Sequence, residues 1–92
     1  MIMTVSITVK GKVQGVFFRQ STREKALTLG VTGLVRNEPD GSVYIIATGT
    51  QDQLDQLTAW CRRGPSRAVV TDVEVKLLDT KNFTGFTIDS RN

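Results

Sequence analysis

Apolar and polar residues alternate at the start of the chain, with Val5, Ile7 and Val9 on one side and Thr4, Ser6, Thr8 and Lys10 on the other. A period of two predicts a strand with one face buried and the other turned outward. The period then changes. Phe18, Thr22, Ala26 and Leu29 recur at helical spacing while Arg23, Glu24 and Lys25 face out, which predicts an amphipathic helix. Gly30 follows as its C-terminal cap. Residues 31–37 read as a second strand and 43–48 as a third. Between them, Asn37-Glu38-Pro39-Asp40-Gly41 carries hairpin-turn chemistry. Thr50-Gln51-Asp52-Gln53 has capping-box spacing and opens a second helix, with Leu54, Leu57 and Cys61 as its apolar stripe and Gly64-Pro65 as its end. Residues 72–78 predict a fourth strand with Val73, Val75 and Leu77 inward, and 83–89 an extended segment suited to a final edge strand.

Strand, helix, strand, strand, helix, strand is the order of a split βαβ sandwich. The predicted fold is therefore α+β and ferredoxin-like (βαββαβ), an antiparallel sheet with both helices on one face. Separate hairpins without crossovers would leave each helix's apolar stripe unburied. Ninety-two residues fit one domain, 1–92, with no room for a second core. In a βαβ crossover the first two strands run parallel. The loop that leaves the first strand and Asn37 at the end of the second then belong at the same sheet edge, where ligand sites of open α/β sheets gather.

That loop, Gly11-Lys12-Val13-Gln14-Gly15-Val16-Phe17-Phe18-Arg19, holds two glycines and a run of free N–H groups just before a helix. Such a segment folds into a concave nest of amides, to which the helix N-terminus adds partial positive charge and Arg19 a full one. Its natural guest is a tetrahedral oxyanion such as phosphate. Phe17 and Phe18 are adjacent, so one should face the core and the other lie nearer the surface. The chain has no histidine, so chemistry at this loop must proceed without an imidazole base. With no histidine or paired cysteine for Zn²⁺ and no acidic cluster near the loop for Mg²⁺, no metal and no cofactor are expected.

Twelve Lys and Arg against nine Asp and Glu suit small anionic ligands but are too weak and too scattered to point to nucleic acid. Lys12, Arg23 and Arg36 read as solvated charges. Cys61, the single cysteine, reads as a small buried hydrophobe. No apolar run approaches membrane-spanning length, and Met1-Ile2-Met3-Thr4 lacks the layout of a leader peptide. A cytoplasmic monomer, with no membrane partner, is the expectation.

Two segments together resemble the acylphosphatase family. Its first motif, Gly-x-Val-Gln-Gly-Val-x-(Phe/Tyr)-Arg, is matched by 11–19, and its second, Gly-x-Val-x-Asn-x-x-Asp-Gly-x-Val, by 33–43. Trp60 and Gly64-Pro65 echo a third region, whereas Leu34, Tyr44 and Asp89 depart from residues common in the family. The resemblance implies metal-independent hydrolysis of the carboxyl–phosphate bond of a small-molecule acyl phosphate. It implies that Arg19 binds the phosphoryl group with the backbone amides of Gln14, Gly15, Val16, Phe17 and Phe18, and that Asn37 positions the attacking water. Two rivals share the architecture. A regulatory module could bind an anion without turnover, but would leave Asn37 no task. An RNA-binding module would display aromatics on its central strands, where this chain offers only Tyr44.

Overall fold

The computed structural model describes residues 1–89 and places seven elements along them. Strand β1 (Ile2–Lys12) leads to helix α1 (Phe18–Leu29), and β2 (Thr32–Asn37) and β3 (Val43–Thr50) form a hairpin. Helix α2 (Gln51–Arg63), β4 (Val69–Leu78) and β5 (Phe86–Asp89) complete the order. The strands form one sheet in the order β4-β1-β3-β2-β5. Because β1 and β2 are each antiparallel to β3, they run in the same direction with β3 between them.

Val5, Ile7, Val9, Val35, Ile45 and Ala47 of the sheet share a single core with Phe18 and Ala26 of α1 and Leu54, Leu57 and Cys61 of α2. Each large side chain fully buried there stabilises the fold by roughly 1.5–3 kcal/mol. The fold is the expected ferredoxin-like α+β sandwich, with one correction to its sheet. It is mixed rather than antiparallel, because β5 joins β2 in parallel. The cause is topological: β4 and β5 occupy opposite edges, so the chain between them must cross the sheet.

Thr4 and Ser6, expected to turn outward, are both buried, and for Thr4 the crossing supplies the reason. The Lys81 N–H donates to Thr4 Oγ1 at 2.9 Å, and Thr48 Oγ1 donates to the Lys81 carbonyl at 2.8 Å. The two threonine hydroxyls are themselves 2.7 Å apart, so these buried polar groups are satisfied by the crossing segment.

Two strand boundaries shift for local reasons. The Gly30 and Val31 N–H groups close the last turn of α1 on the Leu27 and Ala26 carbonyls, which holds Val31 in the core and starts β2 at Thr32 instead of Val31. Strand β4 begins at Val69 rather than Asp72, because β1 continues past a bulge at Lys10/Gly11 and pairs Gly11 with Val70 and Lys12 with Val69. Gly11 has φ +125°, and a Cβ there would stand 2.1 Å from the Val69 carbonyl oxygen, so only glycine permits this approach. Val75 and Leu77 register against Ile7 and Val5, the face expected. They are nonetheless 44% and 69% exposed, because β4 is an edge strand paired with β1 alone.

Candidate active site

Between β1 and α1 the backbone is shaped by alternating anchors and left-handed residues. Val13, Val16 and Phe18 are buried, while Gly15 (φ +74°) and Phe17 (φ +63°) take positive φ. For a bulky residue this conformation costs on the order of 1–3 kcal/mol. Val16 and Phe18 on either side impose it, Phe18 with its ring 5.4 Å from that of Trp60. As expected of adjacent aromatics, Phe18 is in the core and Phe17 is 72% exposed. Phe17 is also the N-cap of α1; no side chain caps that end, and the first turn carries no acidic residue. Its donors are thus left to whatever occupies the space in front.

The loop is fastened to the β2–β3 turn by one side chain. Gln14 Nε2 donates to the Glu38 carbonyl at 2.8 Å and to the Ser42 carbonyl at 2.9 Å. Within the turn, Asp40 Oδ1 accepts from the Ser42 hydroxyl at 2.6 Å and from the Ser42 N–H at 2.9 Å. These bonds hold the Asp40 carboxyl below its ordinary value, as donors to a carboxylate do. Sequence reading gave Gln14 a role through its backbone and missed this clamp; the two-donor amide within the motif was the only available signal.

A cavity of about 360 Å³ opens at this sheet edge. Gly15, Phe17, Phe18 and Arg19 line it from the loop and the start of α1, Asn37 from the end of β2, and Ile88 from β5. The structure therefore brings Arg19 and Asn37 together across the eighteen positions that separate them. Of the other residues anticipated, Gly15, Phe17 and Phe18 line the cavity, whereas Val16 is buried in the core and the Gln14 side chain reaches the turn. Val13, Gln20 and Ile88 join the lining unannounced. Gln20 follows Arg19 in the first turn, which was a usable clue; Ile88 depends on the parallel pairing of β5, for which the sequence carries no local signal.

Among the described residues no carboxylate pairs with Arg19, and the ion pair found joins Arg36 to Glu38 at 2.5 Å. Arg36 also lies 4.8 Å from the centre of the Tyr44 ring, and Arg23 Nε donates to the Phe86 carbonyl at 3.0 Å. Neither is the purely solvated charge expected of it. Arg19, half-buried in the cavity wall, keeps its planar fork of donors for a ligand. The loop, the start of α1 and a guanidinium border one space, a setting that suits an oxyanion.

The sequence model of the acylphosphatase family matches residues 5–88. An acylphosphatase of Marinobacter nauticus is 53% identical over 81 residues, covering 87% of this chain and 88% of its own. One from Aeropyrum pernix is 47% identical over 89 residues, with 95% and 88% covered. Among solved structures, an acylphosphatase from Coxiella burnetii superposes with a TM-score of 0.93 at 39% identity, covering 96% of this chain and 93% of that one. The acylphosphatase from Bacillus subtilis gives 0.91 at 31%, with 97% and 99% covered. With a family-wide sequence match, close relatives over most of their length and the same fold, the chain belongs to the acylphosphatase family.

Proposed function

We infer that this enzyme hydrolyses the carboxyl–phosphate bond of acyl phosphates, with Arg19 and the loop amides holding the phosphoryl group and Asn37 positioning the attacking water. One observation carries the division of labour: Arg19 and Asn37, from the two separate motifs, face a single cavity beside an uncapped helix N-terminus.

The chemistry asks little more than this. The leaving carboxylate has a conjugate acid of pKa roughly 4 in model side chains, so it departs as an anion without a general acid. Phosphoryl transfer passes through a loose, in-line transition state governed by positioning and charge stabilisation. Water oxygen bonds to phosphorus as the bond to the acyl oxygen breaks, the carboxylate keeps the electron pair, and one water proton passes to a phosphoryl oxygen. Each preorganised donor contributes on the order of 3 kcal/mol to such a transition state. Arg19 offers two phosphoryl oxygens a bidentate fork that lysine cannot reproduce. Asn37 is neutral, so it orients water without repelling the phosphoryl dianion as a carboxylate would.

No metal enters this scheme, and its substrate is a diffusing small molecule; we take the enzyme to act as a cytoplasmic monomer with no nucleic-acid or membrane partner. The deciding assay is release of phosphate from acetyl phosphate after prolonged chelation. Turnover should persist undiminished, and phosphate and sulfate should inhibit competitively. Activity lost to chelator and restored by a divalent ion would overturn the mechanism, as would inhibition that persists at saturating substrate.

A further inference from the structure

Strand β4 pairs with β1 and ends the sheet on that side. Along Val69–Leu78 its outer row of N–H and C=O groups meets no second strand among the described residues. A long open edge of this kind is a template for another strand. Its apolar side chains are open too. Val69 is 58% exposed, and Val75 and Leu77, also exposed, share the helix-side face with Ile7 and Val5. Glu74 and Lys76 stand on the opposite face, across from Thr8 and Ser6.

We propose that β4 is a self-recognition edge, which pairs antiparallel with β4 of a second copy of this chain about a two-fold axis at Val75. Charge selects both the occupant and the register. The acid and the base flank Val75 in one strand, so the edge is complementary to itself. With Val75 opposite Val75, Glu74 of each copy faces Lys76 of the other, and Val73 faces Leu77. Moving the axis by one residue sets Glu74 against Glu74 or Lys76 against Lys76, and like charges directly opposite destabilise a strand pair. The contact is one strand deep, short of the roughly 1,200–2,000 Å² of a stable interface. The dilute enzyme therefore remains a monomer and pairs as its concentration rises. Glu74 and Lys76 lie outside the cavity lining, so both forms share one activity.

The test is analytical ultracentrifugation of the wild type, Glu74→Lys, Lys76→Glu and an equimolar mixture of the two variants. The mean mass of the wild type should climb from one chain toward two with concentration. Each single variant sets like charges opposite each other and should associate about tenfold or more weakly. In the mixture every copy of one variant finds opposite charges on the other, so pairing should return, which misfolded variants could not do. A wild type that stays monomeric at every soluble concentration would overturn the proposal. So would single variants that associate as the wild type does, or a mixture that does not recover.

Discussion

Helix α2 starts at Thr50, whose hydroxyl accepts from the Gln53 N–H at 3.2 Å while Gln53 Oε1 accepts from the Thr50 N–H at 2.8 Å. Asp52 adds a carboxylate to its first turn. Helix α1 starts at Phe17 with neither device, after a loop that bends through two left-handed residues. A good N-cap stabilises by about 1 kcal/mol, and a first-turn carboxylate by about 0.3–1 kcal/mol. The second helix spends its free donors on itself. The first forgoes both contributions and accepts backbone strain, and it starts beside a cavity that Arg19 also lines. One terminus is built for stability; the other, on the proposed function, is kept for a ligand.

Substitutions at the two termini should therefore separate activity from stability. The largest effects belong to the open one. Arg19→Lys keeps the charge but loses the fork, and should lower kcat/KM by about 10² or more, with weaker phosphate binding. Asn37→Ala should abolish most turnover while phosphate affinity by titration calorimetry changes little. A near-normal rate in Asn37→Ala would remove its water-positioning role. Loss of phosphate affinity as severe as in Arg19→Lys would make it part of the cradle.

Gln20→Glu probes the same terminus by giving α1 the acidic first turn it lacks. Melting temperature should rise slightly, while kcat/KM falls by about five- to tenfold through repulsion of the substrate anion. A variant that is both more stable and fully active would end the contrast between the helices. Thr50→Ala is the mirror experiment: denaturant titration should show a loss of about 1 kcal/mol with kcat/KM unaltered.

The smallest effect concerns Cys61, deep in the stripe of α2, where burial pushes the thiol up to about 12 from an ordinary 9.0. The unfolded chain loses this proton first, so the contribution of the neutral thiol is complete below pH 9 and is lost as pH rises toward 12. Cys61→Ala should flatten the alkaline decline in stability relative to the wild type. Iodoacetamide should label the native protein only at its unfolding rate, and fast labelling would contradict the burial.

Legibility followed the range of the interactions. The Thr50 capping box, the Gly30 cap, the Asp40-Gly41 turn and the inward Phe18 were all readable, because each is decided within a few residues. Arg19 and Asn37 could be brought together because the first two strands of a βαβ crossover run parallel and so share one edge. What escaped was decided at long range. Ile88 reaches the cavity through the parallel pairing of β5, Thr4 is bonded by a segment more than seventy residues away, and the Gln14 clamp spans two motifs. Val75 and Leu77 alternate like core residues, and nothing in alternation tells an edge strand from a central one.

The crossing pinned at Lys81 gives the site a place in time. Pairing Thr4 with Lys81 closes a loop of 77 positions, and contacts this distant form late, after local hairpins and helix docking have reduced the search. Strand β5, which brings Ile88 to the cavity, lies beyond that crossing. The core waits on equally distant contacts, because β1 pairs with β4 from Lys12–Val69 to Thr4–Leu78 while β2 meets β5 at Gly33–Phe86. Refolding followed by intrinsic fluorescence should accordingly keep pace with recovered activity: the chain acquires its shape and its site in one step.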